Sequence, residues 1–179
     1  MNPEKDKYLD AHWILAMVHT MIEESIYHTE TFSHALKVHH NDKAAKVFHR
    51  ICEQFKAEQR IVLNDIFNID LPDIAPWEVP YEGYQHPSSV LTDAHYLMSE
   101  SEAWKVMHGM IENHHSFYKL ICKANNEDTL FTMVDQLISY CKQCEEENKK
   151  LEAKADTKRM KDLEDLDVIA LHSSEGGLW

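Results

Sequence analysis

The chain has 179 residues, enough for one domain with a real core, and its four Gly, five Pro and 44% hydrophobic content favour helices over many short strands. A formal charge of −13 argues against nucleic acid or an anionic membrane as a partner, since both require a basic face. No unbroken apolar run reaches about 18 residues, so no membrane-spanning helix is expected.

The opening Met1-Asn2-Pro3-Glu4-Lys5-Asp6 has no apolar signal region, and Asn2-Pro3 reads as a cap followed by Pro at the first helical position. The first helix is expected to run to about Val38. Its stripe of Ile14, Val18, Met21, Ser25, His28, Phe32 and Ala35 falls at spacings of three and four. Asn41-Asp42 then caps a second helix through about Phe67, with the stripe Ala44, Phe48, Ile51, Phe55, Glu58, Val62 and Ile66. The short link makes these two helices antiparallel neighbours.

Residues 68–88 carry Pro72, Pro76, Pro80 and Pro87 and read as a long crossover. Val90 to Met98 reads as a short helical piece. Ser99-Glu100-Ser101-Glu102 is a capping-box pattern that opens a third long helix. Its stripe is Trp104, Met107, Ile111, His114 or His115, Tyr118 and Ile121. Asn125-Asn126-Glu127-Asp128 breaks the chain before a fourth helix with Leu130, Val134, Leu137, Cys141, Cys144, Asn148 and Leu151. Past Ala155 the chain is strongly charged. A short amphipathic helix with Leu163, Leu166, Ile169 and Leu171 is expected there, before a loose end from His172 to Trp179. The expected organisation is all-α: a four-helix bundle over residues 1–155, then a C-terminal helix and tail over 156–179.

Ionisable groups interrupt the apolar stripes. Glu24 and His28, Glu58, Glu112 and His115, and Glu147 are spread over the four long helices. A charge on a core-facing stripe is costly unless it is paired, hydrogen-bonded or metal-bound. Several at similar depth point to one shared polar site, and a metal pair is the usual reason for such a site. Glu24–His28 and Glu112–His115 are four and three residues apart, so each pair shares a helix face. The bland rival for each carboxylate is a solvated helix face. Four Cys, at 52, 122, 141 and 144, read as reduced thiols of a cytoplasmic protein, and Cys141-Lys142-Gln143-Cys144 reads as two small apolar residues in a stripe.

His19-Thr20-Met21-Ile22-Glu23 echoes His108-Gly109-Met110-Ile111-Glu112, so the helices repeat as two hairpins joined by the proline-rich crossover. Over roughly residues 8–154 this plan resembles the ferritin-like superfamily, and its rubrerythrin-like branch in particular. Glu24-Ser25-Ile26-Tyr27-His28 looks like that family's first-helix element, and Glu112-Asn113-His114-His115 looks like its third-helix element. The Glu-x-x-His windows of helices two and four differ: they read Phe55-Lys56-Ala57-Glu58 and Cys144-Glu145-Glu146-Glu147, so both family His positions hold Glu. The resemblance implies a di-iron or manganese centre held by Glu24, His28, Glu58, Glu112, His115 and Glu147, reacting with peroxide or oxygen as an oxidoreductase. His49 to Glu53 and His108 to Glu112 are His-x-x-x-Glu pairs similar to those of haemerythrin-type bundles, without the His-x-x-x-His which that family needs on a following helix. The altered windows support a second expectation: a ferritin-like bundle without catalytic iron. It would act as a binding or structural module, including as a homodimer.

Overall fold

A computed structural model describes residues 10–66, 69–75, 86–124 and 128–174, and every regular element among the described residues is helical. Helix α1 spans Ala11–Val38. Asp10 caps it, its carboxylate accepting from the His12 N–H at 2.8 Å. The expected cap at Asn2-Pro3 lies outside the described residues.

The link to α2 (Asp42–Ile66) is short. His40 takes a left-handed φ of 58° there. Asn41 then serves both sides of the link. Its Oδ1 accepts from the Ala44 N–H at 3.4 Å, and its Nδ2 donates to Tyr96 O at 3.0 Å and Met98 O at 2.7 Å. One side chain thus starts α2 and ties down the segment that precedes the third long helix. Helices α1 and α2 pack along each other. Phe32 lies against Phe48 with ring centroids 4.9 Å apart, and Ser33 Oγ donates to Ala45 O at 3.0 Å.

Much of the expected 68–88 crossover, residues 68 and 76–85, lies outside the described residues; 69–75 has no regular structure. The short helical piece falls earlier than expected, as α3 (Pro87–Val90) and a 3-10 turn (Leu91–Asp93). Pro87 suits the first position of a helix, because its missing N–H would have no partner there. Helix α4 spans Glu100–Ala124 and opens with the capping box: Glu102 Oε2 accepts from the Ser99 N–H at 2.6 Å, and the Glu102 N–H donates to Ser99 Oγ at 3.2 Å. Gly109 permits close approach of α3 to α4, since a Cβ there would meet Val90 Cγ1 at 3.2 Å.

Helix α5 spans Asp128–Ser174 without interruption, where a separate helix beyond Ala155 was expected. No Gly or Pro occurs between positions 128 and 174 to stop it. Of the break expected over 125–128, residues 125–127 lie outside the described residues and Asp128 begins α5. The chain forms two compact units, Met1–Glu145 and Glu146–Trp179. No helix among the described residues is long and apolar enough to cross a membrane.

The core of the first unit follows the stripes of α2, α4 and the start of α5. Phe48, Ile51, Phe55 and Val62 are buried, as are Trp104, Met107, Ile111, Tyr118 and Ile121, and Leu130, Val134, Leu137, Cys141 and Cys144. On α1 the stripe departs from expectation after Ser25. Thr29, Ser33 and Leu36 turn inward, while His28, Phe32 and Ala35 are half-buried. The inward hydroxyls stay satisfied, because Thr29 Oγ1 donates to Ser25 O at 2.6 Å and Ser33 bonds across to α2.

Candidate functional site

Inside the first unit, one ionisable cluster is fully enclosed. Glu58 and His114 are each 1% exposed, and Ser25 and Tyr118 are 0% exposed. The positions follow from helix periodicity. Glu58 stands between Phe55 and Val62 on the inward stripe of α2. His114 and Tyr118 are one turn apart on α4, after Ile111.

The geometry is a chain of hydrogen bonds from α1 to α5. Ser25 Oγ lies 2.8 Å from His114 Nε2. His114 Nδ1 faces both oxygens of Glu58, at 3.1 Å from Oε2 and 3.2 Å from Oε1. The Tyr118 hydroxyl donates to Glu58 Oε1 at 2.5 Å, and the Cys141 thiol reaches the same oxygen at 3.8 Å. Phe55 stacks on the imidazole at a centroid distance of 4.3 Å and shields it from one side. Burial first, and then the Glu58 carboxylate, pushes the Cys141 thiol well above the usual thiol range. It is therefore a donor to Glu58 and not a thiolate nucleophile.

The Ser25 hydroxyl carries one hydrogen and has two acceptors in reach, His114 Nε2 and Met21 O at 2.9 Å. If that hydrogen goes to Met21 O, both ring nitrogens of His114 donate, and an imidazolium faces the carboxylate. If it goes to Nε2, the ring is neutral and only Nδ1 donates. In either state Ser25, His114 and Glu58 stand in the order of a nucleophile, base and orienting acid. Yet Ser25 is wholly enclosed and bonded into its own helix. A substrate carbonyl has no path to it, so the arrangement is suited to holding helices and not to acyl transfer.

Of the six residues expected at a metal centre, the five in the first unit, Glu24, His28, Glu58, Glu112 and His115, do not come together. Glu58 alone among them is buried. Glu24 and His28 pair with each other at 3.2 Å and are half-buried. His28 turns outward because Thr29 takes the core position that the expected stripe gave it. His115 is paired with Glu145 at 3.4 Å, and its Nε2 is buried without a hydrogen-bond partner. Burial, followed by Lys119, lowers the His115 pKa below the usual imidazole range. Glu112 is exposed on an open groove of about 660 Å³ that it shares with Ser89, Lys105, Asn113 and Ser116. Two residues along a helix is a rotation of about 200°, so an inward His114 sends Glu112 outward. Glu147 is exposed and belongs to the second unit.

Glu112 thus stands on a solvated face, and both Glu58 oxygens are engaged by protein donors. A metal at Glu58 would first have to displace Tyr118 and His114. Among the described residues, no group of three or more His, Cys, Asp or Glu is placed to hold a metal ion. The implied di-iron ligand set does not fit this arrangement. The sequence pattern left His114 or His115 open for the stripe of α4 but put His115 at the site, and it gave Ser25, Tyr118 and Cys141 no role there. All three lay on the expected stripes, and the signal was that a polar residue recurs on three stripes facing Glu58. Compared with protein-family models, curated proteins and solved structures, the chain has no match in any of the three.

Proposed function

We propose that the chain is a ferritin-like four-helix bundle whose interior site is closed by its own hydrogen bonds, serving as a binding or structural module and not as an iron oxidoreductase. The supporting observation is the saturation of Glu58. Tyr118, His114 and Cys141 all address its two oxygens inside the enclosed core. Such a network ties α1, α2, α4 and α5 in one register, because a slip of any helix would leave a buried polar group unpaired. Four free thiols support a cytoplasmic setting, where thiols stay reduced.

The di-iron reading, with Fe or Mn reacting with peroxide or oxygen, keeps two supports. A carboxylate, an imidazole, a phenol and a thiol from three helices share one point in the core, and the buried Nε2 of His115 lacks a partner. Metal analysis of protein purified without chelator separates the two readings. The module reading expects no stoichiometric Fe or Mn and no Fe(II) uptake. About two metals per chain, lost in Glu58→Ala, would replace it with the di-iron reading.

A further inference from the structure

The second unit, Glu146–Trp179, is helical through Ser174 and solvent-facing along much of its described length. From 153 to 163 every residue is exposed except the half-buried Ala155. Met160 is 55% exposed and Leu163 is 51% exposed. Over 153–163 little burial holds the helix in place, and helices without packing are marginal in water.

Its charges are divided along its length. Residues 149–161 carry Lys149, Lys150, Lys154, Lys158, Arg159 and Lys161 against Glu152 and Asp156. Residues 162–174 carry Asp162, Glu164, Asp165 and Asp167 with no Lys or Arg. Within one helix the two blocks meet only where they adjoin, around Lys161 and Asp162. Basic residues that precede acidic ones also give the weaker orientation of side-chain pair. Beside a helix that runs the other way, each block lies along its opposite for its whole length.

We propose that the second unit is a self-association element, pairing antiparallel with the same helix of a second copy of this chain. The midpoint of the pair falls between Lys161 and Asp162. In that register the basic half of each copy lies along the acidic half of the other, and the opposed dipoles attract. Lys158 comes level with Asp165 of the second copy, and Met160 comes level with its Leu163. The seam runs through positions 153, 156, 160, 163, 167 and 170, which alternate spacings of three and four as a two-helix seam requires. One contact is adverse, because Asp156 comes level with Asp167. The seam is short and partly polar, so the pair is weak and salt-sensitive.

Sedimentation of the full chain at low ionic strength tests this. The expected result is a concentration-dependent doubling of mass that is lost as salt is raised; a monomer at low salt and high concentration overturns the proposal. Reversing the basic half, with Lys158→Glu, Arg159→Glu and Lys161→Glu together, should weaken the dimer by about tenfold or more. Adding Asp162→Lys, Glu164→Lys and Asp165→Lys should restore it, since complementarity returns with the signs exchanged. Asp156→Asn should tighten it. A dimer indifferent to all three changes would have its interface elsewhere, which also overturns the proposal.

Orientation is read by cross-linking. Met160→Cys should link to its own copy under mild oxidation, because the two sites lie about 4.5 Å apart along the axis. Lys149→Cys should not, at an axial separation of about 37 Å. Strong linking at 149 would mean a parallel pair and would defeat the register. Cys52, Cys141 and Cys144 are buried, and the half-buried Cys122 is replaced by Ser in every cross-linking variant and in the control.

Discussion

Tyr118 on α4 donates its hydroxyl to the Glu58 carboxylate on α2 at 2.5 Å, with both side chains out of contact with water. A charge-assisted bond of this length between two helices is worth more than a neutral one, and its loss leaves a buried oxygen short of a donor. The pair therefore couples α2 to α4 inside the first unit.

Glu58→Ala should destabilise the fold by about 3–5 kcal/mol, since it removes the acceptor shared by three donors and opens a cavity. Tyr118→Phe should cost less, about 1–3 kcal/mol. In a double-mutant cycle with Glu58→Gln, read by denaturant unfolding, the two losses should fail to add. Additive losses would mean that the hydroxyl and the carboxylate do not interact in solution.

Nitrogen NMR of the His114 ring should report which way the Ser25 hydrogen points. Ser25→Ala removes the Nε2 partner and should shift that nitrogen's resonance while leaving Nδ1 facing Glu58. An unchanged Nε2 signal would place Ser25 outside the network.

Asn41→Ala should lower stability by about 1–2 kcal/mol, through loss of the α2 cap and of the bonds to Tyr96 and Met98. Hydrogen exchange should quicken at residues 96–99 more than in the middle of α4. Uniform change along both would show that Asn41 serves only the cap.

His115 provides a pH dependence. Burial, followed by Lys119, holds its pKa below the unfolded value, so the unfolded chain binds the extra proton first. The sign follows: this contribution is fully present above the ordinary imidazole pKa of about 6.5 and is lost as pH falls through the folded value. His86 is shifted in the same direction by burial. Thermal midpoints should decline on acidification from about pH 7, and His115→Gln should flatten the decline. A midpoint that rises on acidification would contradict the burial of these rings.

Native thiol labelling should start at Cys122. That residue is half-buried, whereas Cys52, Cys141 and Cys144 are enclosed. Peptide mapping after brief exposure to a thiol reagent checks the order. Early modification of Cys141 would mean that the core around Glu58 opens readily.

The inward faces of α2 and α4 were legible in the sequence, because aromatic and branched residues mark them at every turn, and the capping box at Ser99 fixed where α4 begins. The face of α1 was legible only as far as Ser25. Beyond it the core accepts Thr29 and Ser33, small residues whose hydroxyls bond to carbonyls, and a reading that favours Phe32 over Thr29 turns the helix too early. That choice drew His28 toward the interior. Glu58 was correctly expected to face inward, since it falls three residues after Phe55 and four before Val62. Its partner was not, because two adjacent histidines at 114 and 115 differ by about 100° in direction, and periodicity at the end of a long stripe does not resolve them. The uninterrupted α5 was hidden by its charges, which look like a linker although no residue in it breaks a helix.

The left-handed residue at His40 fixes the link length between α1 and α2. Removing one residue from the first turn of α2 would wind everything after it by about 100°. Glu58 would then swing away from Tyr118 and His114, and the acid would be presented to a neighbouring helix or to water. The spacing between one bend and one carboxylate is thus as constrained as the carboxylate itself, and insertions or deletions between positions 41 and 58 should be tolerated far less well than substitutions on the outer face of the same helix.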